Sequence, residues 1–432
     1  MTMLDEAIRE ALREASGADE GSQGRSSSGS GSSLTERVKN SVLIRRLQSL
    51  ADDATFYQLA QQLQSRSSLS YEAYLDIGRS DDVPENLKSF FSSPSLFLTL
   101  ARGDTGHVVT DELLRYIQRA LDVESTLLQL LRFSSGGLSA GGFITEKELE
   151  RYLFRLIPEI SGHDKMPPSF YPYYVFTAAR RFFFFLDTRR TQRINIKKLG
   201  HSSVMEELLY MKRLSHVKND IDPSQISTNW FSTDNALKLY STFLDLDVSK
   251  SGVLTVEEML QFAGTPDEPA QLTRVALERI FEANVLYSPL EMDFKAFLDL
   301  CLAIENKNTT ESLTYFWRAI DMDKTGRLGP STIEFFYRGV YEALRAVNYD
   351  APSPSNIVIE VFDIVGCNDA RGPTFSDIVK SGQGQVVFSL LLDCGGFWNY
   401  DNREQLLANQ NQAQAAQAAQ ASSGAGNEED VF

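Results

Sequence analysis

The chain has 432 residues, with 42 Lys+Arg against 58 Asp+Glu, a formal net charge of −16, and a composition that is 42% hydrophobic and 11% aromatic. That length supplies material for two or three cored units, and an acidic balance with no Lys/Arg block argues against a reader of nucleic-acid backbones, which needs a basic stripe. Three cysteines, Cys301, Cys367 and Cys394, lack any CxxC spacing; they make neither a disulfide framework nor a four-thiolate zinc site and fit a reducing cytosol or nucleus.

In chain order, MTMLDEAIREALREA at the start is too acidic and too interrupted for a signal peptide. No apolar run approaches the roughly 18 residues of a spanning helix, so the chain reads as soluble and intracellular. Gly21 to Ser33 holds eleven Gly or Ser in thirteen residues and is expected to be a flexible linker. Apolar residues at 3–4 spacing then predict helices: Val42 to Leu63 as one helix or a helix pair, followed by Leu113–Leu131, Glu146–Leu156, Tyr173–Leu186, Ala236–Leu246, Thr273–Phe281, Leu313–Ile320 and Ile333–Ala343. Ala408 to Asn427 is Ala/Gln/Asn repetition and reads as disordered, with the acids Glu428, Glu429 and Asp430 after it. The expected class is mainly α, with short β contacts only inside paired loops.

One polar loop carries a spacing with chemical meaning. A twelve-residue calcium loop takes oxygen ligands at positions 1, 3 and 5, a carbonyl at 7 and a carboxylate at 12 that can bind through both oxygens, with glycine at 6 for the turn. In FLDLDVSKSGVLTVEEMLQF those places hold Asp247, Ser249, Ser251, Val253, Glu258 and Gly252, and Leu254 takes the apolar position 8. A register beginning at Asp245 would put Lys250 in the glycine slot. Leu237, Tyr240, Phe243 and Leu244 line an entering helix, and Val256, Met259 and Leu260 an exiting one, which completes an EF-hand. With only Asp247 and Glu258 charged, calcium affinity should be lower than in an acid-rich loop; the alternative is a loop that keeps its shape for packing alone.

A second loop, DMDKTGRLGPST, places Asp321, Asp323 and Thr325 at positions 1, 3 and 5, Gly326 at 6 and Leu328 at 8, but Thr332 at 12 cannot chelate, so metal binding there is disfavoured. Weaker copies follow the same spacing. Met292 at position 8 starts a loop at Val285, where Tyr287, Pro289 and Ala296 cannot bind a cation; a loop near Gly366 relates similarly to Asp321. Asp187 opens another in which Arg189 and Lys198 exclude a cation. Fainter ones carry Gly106, Val108 and Glu112, and Ile144 and Glu148. The repeat is a scaffold device more than a set of metal sites.

Enzyme chemistry is missing from this pattern. His107, His163, His201 and His216 stand in separate segments without a carboxylate partner in spacing, and no phosphate cradle, HExxH helix, nucleophile elbow or clustered phosphatase ligand set occurs.

Four successive phenylalanines, Phe182–Phe185, end a helix just before Leu186 and Asp187; since they cannot share one helix face, packing between hand units is the expected role. The surrounding segment closely resembles the signature of the B″ regulatory subunits of protein phosphatase 2A: Ser169, Phe170, Tyr171, Tyr174, Val175, Thr177, Ala178, Phe182 to Asp187, Arg190, Thr191 and Ile194 match, with Gln192 where the family has glycine. NWFS (Asn229 to Ser232), EMDFKAFLDL (Glu291 to Leu300) leading into AIENK, and GFWNYDNRE (Gly396 to Glu404) are similar too and look most like the gamma branch, which includes the plant FASS/Tonneau protein. The likeness runs from about Val42 to Leu407; the insertion at Ser134–Gly142 and the low-complexity ends depart from it.

The resemblance implies tandem, mostly degenerate EF-hand modules behind an N-terminal helical region. The expected divisions are 1–40 disordered, 41–165 helical with degenerate hands, 166–305 containing the better calcium loop, 306–407 a second hand domain, and 408–432 a low-complexity acidic tail. It implies a non-catalytic regulatory chain that binds the phosphatase scaffold and catalytic subunits and directs serine/threonine dephosphorylation of phosphoprotein substrates, in microtubule organisation and cell division. The expected location is cytoplasmic, with cytoskeletal, centrosomal or basal-body association and a nuclear pool. The alternative class is a free-standing calcium sensor or cytoskeletal adaptor, which should show several intact loops and Met-rich grooves; this chain has one plausible loop and eight methionines.

Overall fold

The computed structural model describes residues 34–50, 53–101, 106–134, 142–214, 226, 228–263, 271–284 and 291–408. The linker at Gly21–Ser33, residues 135–141 of the insertion, Tyr287, Pro289, His216 and the repetitive tail beyond residue 408 lie outside them. Chain contacts divide the molecule into two compact units, Met1–Asn235 and Ala236–Phe432. The division falls within the expected span 166–305, and the expected 165/166 boundary is crossed by a strand pair that joins residues 143–145 to 193–195.

In the first unit, α1 (Leu34–Ser49) begins inside the span expected to lack structure. It is anchored by Leu43, which is fully buried, and by Arg46 bonded to Glu124 at 2.8 Å. The stretch from Val42 to Leu63 resolves into two helices, α1 and α2 (Asp53–Leu63). After β1 (Ser68–Leu69) come α3 (Tyr71–Arg79), α4 (Glu85–Phe91), α5 (Pro94–Leu100), β2 (Val108–Val109) and the long α6 (Thr110–Phe133). β1 and β2 pair antiparallel, Leu69 opposite Val108. Around them Phe56, Leu59, Tyr74, Phe91 and Leu113 close one hydrophobic cluster. Next, β3 (Phe143–Thr145) leads into α7 (Glu146–Leu156), and α8 (Tyr171–Leu186) into β4 (Arg193–Asn195), α9 (Ile196–Gly200) and α10 (Ser203–Leu214); Ile144 lies opposite Ile194.

The phenylalanine run sits at the end of α8. Phe182, Phe183 and Phe184 are buried, while Phe185 is half-buried beneath the Arg181 guanidinium, 4.8 Å from its ring. The NWFS segment covers this helix within the same unit. Phe231 packs on Phe182, Trp230 Nε1 donates to the Thr177 carbonyl at 2.9 Å, and the Tyr174 hydroxyl donates to the Phe231 carbonyl at 2.9 Å. Glu207 accepts from Arg181 and from the Trp230 backbone N–H, which ties α10 to both. Burial of these aromatics is worth about 2–3 kcal/mol each, which sets this cluster well above any one polar contact at the surface.

The second unit holds α11 (Thr233–Leu246, entering from the first), α12 (Val256–Met259), α13 (Arg274–Asn284), α14 (Phe294–Glu305), α15 (Thr310–Ile320), α16 (Pro330–Ala346), α17 (Pro354–Val365), α18 (Phe375–Ser381), α19 (Gly384–Leu392) and α20 (Cys394–Asp401). Two isolated β-bridges join its loops, Leu254 to Met292 and Arg327 to Thr374. A third, Leu272 to Asp393, fastens the GFWNYDNRE end. There the Lys307 ammonium meets Asp393 at 3.1 Å with both side chains buried, and Asp393 also accepts from the backbone N–H groups of Gln271 and Gly395. The fold is mainly α, and among the described residues no helix is long and apolar enough to cross a membrane.

Candidate functional site

Backbone dihedrals align the loops more firmly than their side chains do. If position 8 is the residue that enters the β contact, position 6 falls at Gly106, Gly142, Gln192, Gly252 and Gly326, and their φ values are +64°, +66°, +59°, +80° and +71°. Position 4 falls at Arg190, Lys250 and Lys324, at +55°, +55° and +54°. The same two left-handed residues recur because each loop must turn twice within three residues, and glycine does so without a Cβ penalty. Gln192 adopts that conformation with a side chain, at a cost of about 1–2 kcal/mol.

Pairing follows the same register. Leu254 and Met292 exchange two backbone hydrogen bonds at 2.8 Å, and both side chains are fully buried. In the other pair of the second unit, Leu328 N–H donates to the Pro373 carbonyl at 2.8 Å; proline has no N–H to return, so that contact is single. Loop spacing places Pro373 at position 8 when the loop begins at Gly366, as expected. The Leu69–Val108 contact marks a further hand that the sequence reading missed, because its loop has no acid at position 1 or 12: Gln62 and Ala73 stand there. A fully buried leucine followed by the helix cap Ser70 is the signal it does carry.

Within the loop 247–258 every residue named from spacing is brought together. The buried Asp247 organises the turn: its Oδ1 accepts from the Ser251 N–H at 3.0 Å and its Oδ2 from the Gly252 N–H at 2.8 Å. Ser249 Oγ lies 3.2 Å from Asp247 Oδ1 and 3.2 Å from Ser251 Oγ, and Ser251 Oγ lies 2.8 Å from the Val253 carbonyl oxygen. Glu258 closes the circle. Its Oε2 accepts from the Thr255 N–H and hydroxyl at 2.9 Å, a capping box for α12, while Oε1 crosses the loop to the Ser249 N–H at 3.1 Å. The Thr255 and Ser249 backbone N–H groups lower the Glu258 carboxyl from its ordinary 4.5 to about 2, so it is a carboxylate at any physiological pH.

These groups form an all-oxygen set of two carboxylates, two hydroxyls and a carbonyl, which suits a hard cation such as calcium and not a thiolate- or imidazole-seeking metal. Among the described residues no group of three or more His, Cys, Asp or Glu converges for a metal; this set differs because its remaining donors are neutral oxygens. Leu244 and Val248 flank Asp247 at 51% and 77% exposure, so the loop also presents apolar surface.

Other loops use the same backbone with different side chains at the ligand positions. Asp187 accepts from the N–H groups of Thr191 and Gln192 at 2.8 and 2.7 Å, but Lys198, at position 12, donates its ammonium to the Leu186 carbonyl at 3.3 Å. Glu148 and Asp377 serve as capping-box acids at position 12 of their own loops. In the loop of Asp321, the carboxylate accepts only the Gly326 N–H, and Asp323 is used by the Thr325 N–H and hydroxyl. Arg327 reaches across to Asp369 at 3.0 Å and to the Gly372 carbonyl at 2.8 Å. Asp369 is held well below the usual carboxylate range by the side chain and N–H of Arg371, and further by Arg327. One arginine cation, Arg327, thus crosses the contact of this second pair, while Arg371 holds Asp369 from within its own loop.

No protein-family model matches the chain. It is 32% identical over 359 residues to the gamma form of the B″ regulatory subunit of serine/threonine-protein phosphatase 2A from Rattus norvegicus, covering 83% of this chain and 76% of the relative. To the same protein of Danio rerio it is 33% identical, over 81% and 73%. To TON2 of Arabidopsis thaliana, a probable B″ regulatory subunit of the same phosphatase, it is 31% identical, over 78% and 70%. Among solved structures, a chain of a PP2A PR70 holoenzyme labelled diCa shares the fold at a TM-score of 0.51 and 18% identity, over 60% of this chain and 93% of that one. The relatives are named as regulatory subunits and not as enzymes, which agrees with the missing catalytic constellations. With the FFFFLD helix, the NWFS strap and the paired loops all in place, the chain belongs to the B″ family of protein phosphatase 2A regulatory subunits, in its gamma branch.

Proposed function

We propose that this protein binds the phosphatase scaffold and catalytic subunits, directs serine/threonine dephosphorylation to chosen phosphoproteins, and carries one calcium ion in the loop 247–258. The observation that supports the calcium reading is the closed circuit of oxygens from Asp247 through Ser249, Ser251 and Val253, with Glu258 reaching back across the loop. Calcium bound there supplies the positive charge that neutralises Asp247 and Glu258 and ties the end of α11 to the start of α12. The loop of Asp321, Asp323 and Thr325 is proposed to pair without metal, because Thr332 offers no carboxylate and Arg327 already bridges to the partner loop. Membership of the gamma branch supports a role in microtubule organisation and cell division, from a cytoplasmic pool with cytoskeletal, centrosomal or basal-body association.

Affinity purification of the full chain from cells, followed by identification of co-purifying chains, tests this reading. Recovery of the scaffold and catalytic subunits is the expected outcome. Their absence under gentle conditions, with calcium binding intact, would favour a free-standing sensor.

A further inference from the structure

The exit helix of the calcium loop is too short to orient itself. α12 spans only Val256–Met259, about one turn, so its rotation about its own axis is set by what its side chains touch. Met259 is its buried anchor, and Phe262 just beyond packs on Phe297 with ring centroids 5.5 Å apart. On the exposed side Glu257 is gripped by Arg274: Nη1 donates to Oε1 at 2.5 Å and Nη2 to Oε2 at 2.8 Å, a two-pronged contact that fixes direction as well as distance. Glu258, at the closing ligand position, is the next residue and lies about 100° around the helix. Whatever holds the Glu257 side chain therefore also sets where Glu258 points.

The arginine end of this contact is itself held in place. Arg274 opens α13, and residues 271–273 before it are bonded to the junction of α19 and α20. The Thr273 N–H donates to the Leu392 carbonyl at 3.0 Å, the Cys394 N–H donates to the Gln271 carbonyl at 3.0 Å, and the Gln271 N–H donates to Asp393 Oδ1 at 2.8 Å. The Thr273 side chain is buried, and its hydroxyl accepts from the Ala276 N–H at 3.2 Å to cap α13. Asp393 is clamped in turn by the buried Lys307. A continuous run of contacts thus leads from Glu258 through Glu257 and Arg274 to Asp393, and all of it lies within the second unit.

We infer that Arg274 is a positioning residue of the calcium loop: through Glu257 it fixes the rotation of α12 that aims Glu258 across the loop, and it thereby couples calcium at 247–258 to the bonded segments 271–274 and 392–394. This rests on calcium binding in that loop. Coupling of this kind is reciprocal, so calcium should tighten the far segments as much as they favour calcium.

Calcium calorimetry on the full chain tests this, because position and charge predict opposite signs. Arg274→Gln removes a positive charge near the loop, which by itself would tighten calcium binding, whereas loss of positioning weakens it. Arg274→Gln should weaken calcium about threefold, the size expected of an exposed two-pronged pair. Arg274→Lys keeps the charge and part of the contact, and should bind calcium more tightly than Arg274→Gln. Both side chains of the pair are exposed, so in chelator the thermal midpoint of each variant should stay within about 2 °C of the native value. Hydrogen exchange reads the other direction: calcium should slow amides of 271–277 and 392–396 about twofold to threefold in the native chain and not in Arg274→Gln. Calcium affinity in Arg274→Gln equal to or above the native value overturns the inference and leaves the calcium reading standing, as does calcium-induced protection at 392–396 that survives in that variant. No calcium heat in the native chain overturns both together.

Discussion

The buried pair Lys307–Asp393 gives the sharpest quantitative expectation. Lys307 follows α14, and Asp393 caps α20 in the GFWNYDNRE segment; their side chains are 7% and 2% exposed. In Lys307→Met the carboxylate keeps the Gln271 and Gly395 N–H donors on Oδ1 but loses the ammonium 3.1 Å from Oδ2. Stranding one partner of a buried pair costs about 3–5 kcal/mol, and the two retained donors place this case at the lower end, about 3 kcal/mol. Asp393→Asn turns an amide toward the same ammonium and should cost about as much. The double variant removes both charges while the asparagine oxygen still accepts two N–H groups, so it should cost only about 2 kcal/mol, a coupling of about 4 kcal/mol. Urea unfolding of the full chain, followed by fluorescence from Trp317 and Trp398 in this unit, should show the single variants losing about 1 M in midpoint at a slope near 3 kcal/mol per molar. Single-variant costs that simply add in the double variant would refute the claim that this pair acts as one clamp.

Three further outcomes follow from the loops. Thr332→Glu supplies the missing position 12 beside Asp321, Asp323 and Thr325, so calorimetry should show a second calcium event that the native chain lacks. Gly372→Ala should weaken the second loop pair by about 3 kcal/mol or more, read by thermal unfolding, because φ is +96° and a Cβ would lie 2.0 Å from the Leu328 carbonyl oxygen. Glu258 is lowered in the folded state, to about 2, and its contribution is therefore full above about pH 5 and lost as pH falls toward 2; in chelator, the stability gap between the native chain and Glu258→Gln should close over that window and stay constant above it.

Much of this architecture was legible because its repeat is written in residue types that each have one job. Gly252, the closing Glu258 and apolar Leu254 sit at fixed offsets, and the structure uses them as turn, cap and loop contact. The degenerate hands were legible where one further mark accompanied the apolar position 8: the capping-box acid Glu148, the opening acid Asp187, or the fixed offset of Met292 from the calcium loop. Leu69 escaped because Gln62 and Ala73 give its loop neither terminal acid and nothing ties it in sequence to the calcium loop. The start of α1 at Leu34 escaped for a different reason: the stretch is polar on average and is held by Leu43 and by Arg46 on a residue 78 positions away, a tertiary contact that local periodicity does not encode. The arginine bridge from Arg327 to Asp369 and the clamp of Lys307 on Asp393 are likewise long-range pairings between residues that look like ordinary surface charges in the chain.

The central claim, a regulatory subunit whose calcium loop serves phosphatase assembly, is tested most directly by reconstitution. The purified full chain is mixed with scaffold and catalytic subunits in calcium and in chelator, beside Asp247→Ala and Glu258→Gln. A three-chain complex that forms in calcium and weakens at least tenfold in chelator and in both variants is the predicted result. A complex of equal strength in all four conditions would contradict the calcium role, and no complex in any of them would contradict the assignment itself.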